Sequence, residues 1–125
     1  MVKVAQNQGS GERVTVSTLE NRLVLVRPKE AGETITKYSN GQPSPWVEAD
    51  VWYVGKDGTP TPIGPEQATS LRIWSEVLVP SLAEAIGEYV AARIVRPDRA
   101  YLFDDLADEE VARCEAAEKH LNEAF

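Results

Sequence analysis

The hydrophobic positions of this chain change period several times, and each change marks an element. "NRLVLVRP", Asn21 to Pro28, is a near-continuous run of leucine and valine closed by proline, the pattern of a strand buried on both faces or wrapped within a barrel. "WVEADVWYV" alternates strictly, with Val47, Ala49, Val51 and Tyr53 inward and Glu48, Asp50, Trp52 and Val54 outward, because successive side chains point to opposite sides of a pleat. Alternation returns in Ser70 to Ser75, where Leu71 and Ile73 face in and Arg72 and Trp74 face out. It gives way to helical spacing in "EVLVPSLAEAIG": Leu78, Leu82 and Ile86 stand at i, i+4 and i+8, and Gly87 falls where a C-terminal cap belongs. "EYVAARIVRP" alternates again, Val90, Ala92 and Ile94 against Tyr89, Ala91, Arg93 and Val95, and "AYLFDDL" supplies a short last strand.

The segments between are punctuated by turn formers. "KEAGETITKYSNGQPSP" reads as a long exposed connector with a turn at Asn40-Gly41, its centre "TITKYS" able to extend, and "GKDGTPTPIGP" reads as a flexible hairpin loop. Residues 1–18 read mainly as a mobile leader, although "RVTVS" could add a short strand. From Asp104 on, acids crowd the first helical turns, where the helix dipole favours them, and Ala107, Val111, Cys114, Ala117, Leu121 and Ala124 form a thin apolar stripe. Such a helix can dock on the body, pair with another chain or stay partly detached. The expected organisation is a leader over 1–18, a body over 19–103 and an acidic helix over 104–125. Three strands, a short helix, two strands and an appended helix make a mainly β chain with α. That is the order of a five-stranded OB-fold Greek-key barrel with its helix between strands 3 and 4.

Composition narrows the chemistry. The 125 residues suit one domain. No run approaches the roughly 18 apolar residues of a membrane span, and the N-terminus lacks the apolar block of a secretion signal, so a cytoplasmic location without a membrane partner is expected. One cysteine and one histidine cannot make an internal disulfide or a Cys/His zinc cluster. Cys114 and His120 lie six positions apart, on different faces of a helix, which does not make a nucleophile and its base. Asp104, Asp105 and Asp108 lack the glycine-bearing loop of a calcium site, and "GKDGT" lacks the ending of a phosphate loop. A non-enzymatic protein without metal or cofactor is expected. The formal charge of -7 is uneven: residues 1–103 hold 12 acids and 11 bases, residues 104–125 hold 8 and 2. A near-neutral body can still own a basic groove.

Binding a single strand of nucleic acid without reading its sequence needs flat side chains for bases and cations along the backbone path. The candidates are Arg72 and Trp74 on strand three, Trp52 on strand two, Arg93 on strand four, Arg27 beside strand one, and Lys37, Tyr38 and Trp46 in the connector. Arg22 and Lys29 also flank strand one. Trp52 and Trp74, on adjacent strands, can share one surface edged by Arg72. Other roles stay open. Trp74 could pack under the helix, Trp46 could plug the barrel end, and a one-residue slip would exchange Trp52 with Tyr53. Arg93 and Arg96 could pair with Glu88 or Asp98. The acidic helix could be a solvated face, a partner hook or a mimic of DNA, and the terminal "NEAF" is faintly similar to the acidic tip of bacterial single-stranded DNA-binding proteins.

From Asn21 to about Leu121 the sequence resembles the small single-stranded DNA-binding proteins of actinobacterial phages and prophages. The likeness lies in "NRLVLVRP" before a polar connector, "VEADVWYV" before a Gly/Asp loop, "LRIWSEVLVPSLAEAIGEYVAARI", and "YLFDDLADEEVARCEAA". It implies an OB-fold and sequence-tolerant binding of single strands in phage replication or recombination. Glu48 and Asp50 on the phosphate-facing side and the proline-rich connector depart from that pattern. The expectation is a homo-oligomer whose partner is single-stranded DNA, with the acidic helix open to replication or recombination proteins. The alternative is an OB-fold interaction module that binds a host or phage replication factor or a nuclease.

Overall fold

The computed structural model describes residues 16–35 and 41–123. Its strands are β1 (Leu23–Ile35), β2 (Pro43–Val54), β3 (Pro60–Pro62), β4 (Ser70–Trp74), β5 (Val90–Val95) and β6 (Leu102–Phe103). Helix α1 (Leu78–Ala83) lies between β4 and β5, and α2 (Asp108–Glu123) follows β6. Neighbouring strands are antiparallel in the order β3-β2-β1-β5-β6, with β4 also paired to β2. The sheet curls into a half-barrel; among the described residues no ladder joins β6 back to β4.

Pro28 does not end the first strand. Proline cannot donate to a ladder, and the chain answers with a bulge: Pro28 pairs Ala49 and Glu30 pairs Glu48, leaving Lys29 as the extra residue. That insertion turns Lys29 and Glu30 both outward and keeps Ala31 inward opposite Val47. The connector expected after Pro28 is therefore mostly strand, since β1 runs on to Ile35 and β2 begins at Pro43, three residues before Trp46. The loop expected over "GKDGTPTPIGP" also contains a strand. Pro60 to Pro62 pairs with the far end of β2, an edge position where missing N–H groups cost little. Further along the same edge, β4 pairs Ser70 to Trp74 with Asp50 to Trp46.

Two cores divide the sheet's faces. Val24 and Val26, Val47, Ala49 and Val51, Leu71 and Ile73, and Ala92 and Ile94 point inward, closed by Leu78, Val79 and Leu82 of α1. Ser75 Oγ accepts the N–H groups of Val77 and Leu78 at 3.3 and 3.1 Å, which starts that helix. Ile86, expected on its buried stripe, is 48% exposed, because the helix ends at Ala83. Val16 and Leu19, in a short 3₁₀ turn, join this core, so the expected leader gives way to packed chain by Val16; residues 1–15 lie outside the described ones.

The second core is on the outer face, where Cys114 and Ala117 of α2 cover Leu23, Leu25 and Val54. Of the three fates open to this helix, docking is the one seen. Val54, expected outward and wet, is buried beneath it. Beside the stripe, small residues permit a close approach: a Cβ at Gly58 would lie 2.7 Å from Ala116 Cβ. Ala107 is exposed rather than part of the stripe, and Ala124 lies outside the described residues. No helix among the described residues is long and apolar enough to cross a membrane.

Candidate nucleic-acid interface

The inward set Val47, Ala49 and Val51 forces Trp46, Glu48, Asp50 and Trp52 of β2 onto the outer face. Register adds the neighbours. Trp74, Trp46 and Gly32 form one row across β4, β2 and β1; Arg72, Glu48 and Glu30 form the next; Ser70, Asp50 and Arg27 form the third.

In the first row Trp46 is fixed on three sides. Its indole Nε1 donates to Thr34 Oγ1 at 2.9 Å. Its ring lies over Gly32, where a Cβ would meet Trp46 Cζ2 at 2.6 Å. The guanidinium of Arg72 stacks 4.1 Å from its ring centroid, a cation–π contact, and Arg72 Nη2 is 3.4 Å from Glu48 Oε2. Arg72 thus stacks diagonally on Trp46 of the next strand, not on its sequence neighbour Trp74. Trp74 is 40% exposed and is neither under the helix nor inside. Trp46 is a half-buried strand residue rather than a plug in a connector.

Carboxylates and cations alternate below these rings. Asp50 accepts from Thr69 Oγ1 at 2.9 Å and pairs with Lys29 Nζ at 3.2 Å. Glu30 faces Glu48 with no ion pair of its own among the described residues. Arg27, also without an ion pair there, sits 5.4 Å from the Tyr89 ring centroid, and Tyr89 lies 6.0 Å from Trp52 at 47°. Arg27, Lys29 and Arg72 set against Glu30, Glu48 and Asp50 leave the face electrically balanced.

Several candidates fall elsewhere. Trp52 shares the outer face with Trp74, but the two are not one platform: six residues of β2 separate Trp52 from Trp46, about 20 Å at strand rise, and Trp52 packs with Tyr89 at the margin of the second core. Trp46 is Trp74's partner instead. Arg93 is not a free cation either. Its side chain, 24% exposed, donates to Asp104 Oδ2 from Nε at 3.0 Å and from Nη2 at 2.8 Å, reaches the Asp105 carbonyl at 3.1 Å, and holds Glu110 through Nη1. The Asp104 hydrogen bond, with Glu110 nearby, pushes the guanidinium pKa up. Glu110 is held below its ordinary value first by the Ala107 N–H and then by Arg93. Arg93 therefore anchors α2, with partners other than Glu88. Arg96 lies 5.3 Å from the Tyr101 ring. Arg22 stacks 3.8 Å from the Tyr53 ring, off the outer face. Lys37 and Tyr38 lie outside the described residues.

Cys114 is buried, its Sγ 3.9 Å from the Val24 carbonyl, and burial pushes its thiol up to about 11. It is protonated at neutral pH. Gly32, Thr34 and Tyr89 are the site residues that sequence reasoning missed. Trp46's phase with Glu48, Asp50 and Trp52 was a signal for its place on the face. Set against protein-family models, curated proteins and solved structures, the chain matches none.

Proposed function

We propose that the outer face of β2 and β4 binds single-stranded DNA in a sequence-tolerant manner, in a non-enzymatic protein of phage DNA replication or recombination. The observation that carries this is the exposed Trp74 set opposite a Trp46 that Gly32, Thr34 and Arg72 hold rigid. An exposed indole such as Trp74 stacks any base, because every base has a π-face, while Trp46, with Gly32 beneath its ring and Arg72 over it, braces the row beside it.

The fold supports the reading. β3 and β4 follow one another along one edge of β2 and count as a single interrupted strand. Counted so, the chain has three strands, α1, two strands and an appended helix, and we read the half-barrel as an OB-fold, whose second and third strands form the oligonucleotide-binding face. The resemblance of Asn21 to Leu121 to phage single-stranded DNA-binding proteins points the same way.

The test is a titration with oligo-dT in low salt, following tryptophan emission and anisotropy. Emission should be quenched. Trp74→Ala should weaken binding about tenfold, since a stacked base contributes about 1 to 3 kcal/mol. With three cations on the face, the slope of log K against log salt should be no steeper than about -2. If emission and anisotropy stay flat up to tens of micromolar oligonucleotide, the reading is wrong and a protein-binding module takes its place.

A further inference from the structure

An open pocket of about 360 Å³ is lined by Arg27, Pro28, Lys29, Asp50, Ile86 and Gly87. It lies between the β1 bulge and the turn joining α1 to β5, away from the tryptophan pair. Strand alternation points Arg27 and Lys29 outward on either side of the inward Pro28. The Gly87 N–H bonds the Pro28 carbonyl at 2.9 Å and sets the opposite wall. Tyr89 stands next to it, with Arg27 over its ring.

The second core decides where a strand entering at the tryptophans can go. Straight on along β2 the outer face leads to Val54, which is closed off beneath Cys114 and Ala117 of α2. A polyanion is turned aside there. Across β1 the way is open and cationic, since Val26 pairs with Val90 and the next step of that register brings Tyr89 beside Arg27.

We infer that this pocket is a phosphate subsite, with Arg27 as its cation, Lys29 shared with Asp50 at 3.2 Å and Tyr89 as an adjoining stacking surface, so that a bound single strand leaves β2 and crosses β1 toward β5. The inference rests on the proposed binding of single strands. Four residues along the strands and three strand spacings across them separate Trp74 from Tyr89, about 20 Å on the diagonal. At a stacked rise of about 3.4 Å, a strand of roughly seven nucleotides reaches both.

The experiment compares oligo-dT of about 4 and about 12 nucleotides, within the range of site sizes per OB-fold, on the wild-type chain, Arg27→Gln and Tyr89→Leu, with thermal unfolding of each as a check on folding. Arg27→Gln is the safer probe, because its side chain is exposed and makes no ion pair among the described residues. Both variants should bind the long oligonucleotide about five- to tenfold more weakly and the short one as wild type does. Arg27→Gln should also lose about 0.7 from the salt slope. Wild-type affinity of Arg27→Gln for both lengths, with an unchanged slope, would overturn the subsite and leave the tryptophan site standing. Failure of the wild-type chain to bind either length would overturn both.

Discussion

Replacing Gly32 with alanine tests the seat of Trp46 directly. Gly32 has no positive φ, so alanine fits its backbone, and in an ordinary strand position the change would stabilise the fold by about 0.5 to 1 kcal/mol. Here the new Cβ would stand 2.6 Å from Trp46 Cζ2 and 3.0 Å from Cε2, inside contact distance, so the indole must swing off the sheet. That motion costs the bond to Thr34 Oγ1, net about 0.5 to 1.5 kcal/mol, and the Arg72 stack, about 0.5 to 1 kcal/mol at an exposed site. Losses outweigh the gain, and Gly32→Ala should be less stable by about 1 kcal/mol. Urea unfolding measures this, and the emission maximum should shift red as the indole meets water. Oligo-dT affinity should fall alongside, because the ring no longer lies flat. A variant that gains stability, keeps its emission maximum and binds unchanged would show that Trp46 is not seated on Gly32.

Two further predictions concern α2. Arg93→Ala removes the group that ties Asp104 and Glu110 to β5, so α2 should undock more often and the Cys114 thiol, 2% exposed and raised to about 11, should react with a disulfide reagent several-fold faster than in wild type; equal rates would show that Arg93 does not hold the helix. Glu110 is depressed below its ordinary 4.5, and a group depressed on folding contributes stability that is fully present above the unfolded value and lost as pH falls through the folded one. Stability should therefore decline as acid passes below about 4.5, and Glu110→Gln should flatten that part of the decline; an identical acid limb in the variant would rule out this role for the carboxylate.

How much of this was legible beforehand depended on whether the period of the pattern survived the local chemistry. Alternation in "WVEADVWYV" and "SLRIWS" gave the inward faces of β2 and β4 correctly, because each strand has a buried side that admits only Val, Ala, Leu or Ile there. The unbroken "LVLV" of β1 announced burial on both faces, though not what covers the second. Proline was the misleading signal. Pro28 reads as a stop and Pro60 and Pro62 read as loop, but a bulge and an outer edge each accept a residue without an N–H group. The site suffered most from this, since ending β1 at Pro28 left Gly32 and Thr34 in a connector and detached Trp46 from its strand. The acids that hold Arg93 were not legible, because a cation on an outward strand position says nothing of partners eleven and seventeen residues later that return to meet it.

The same helix that hides one end of the outer face gives the other end its meaning. Sixteen residues of α2 make a rod of about 24 Å, and it is spent over Leu23, Leu25 and Val54. β1 and β2 continue past it to Ile35 and Pro43, carrying β4 with them as far as Trp74. That extension has one face packed through Ala31, Val47 and Ile73 and the other covered by nothing in the described chain except its own tryptophans. Two indoles could have been buried by a longer or shifted helix, and a fold that needed only stability would gain by burying them. Here the acids of Asp104 and Glu110 fasten the helix to Arg93, at the opposite end of the face. Trp74 stays 40% exposed, and Arg72 keeps Glu48 of β2, not an acid of the helix, as its partner.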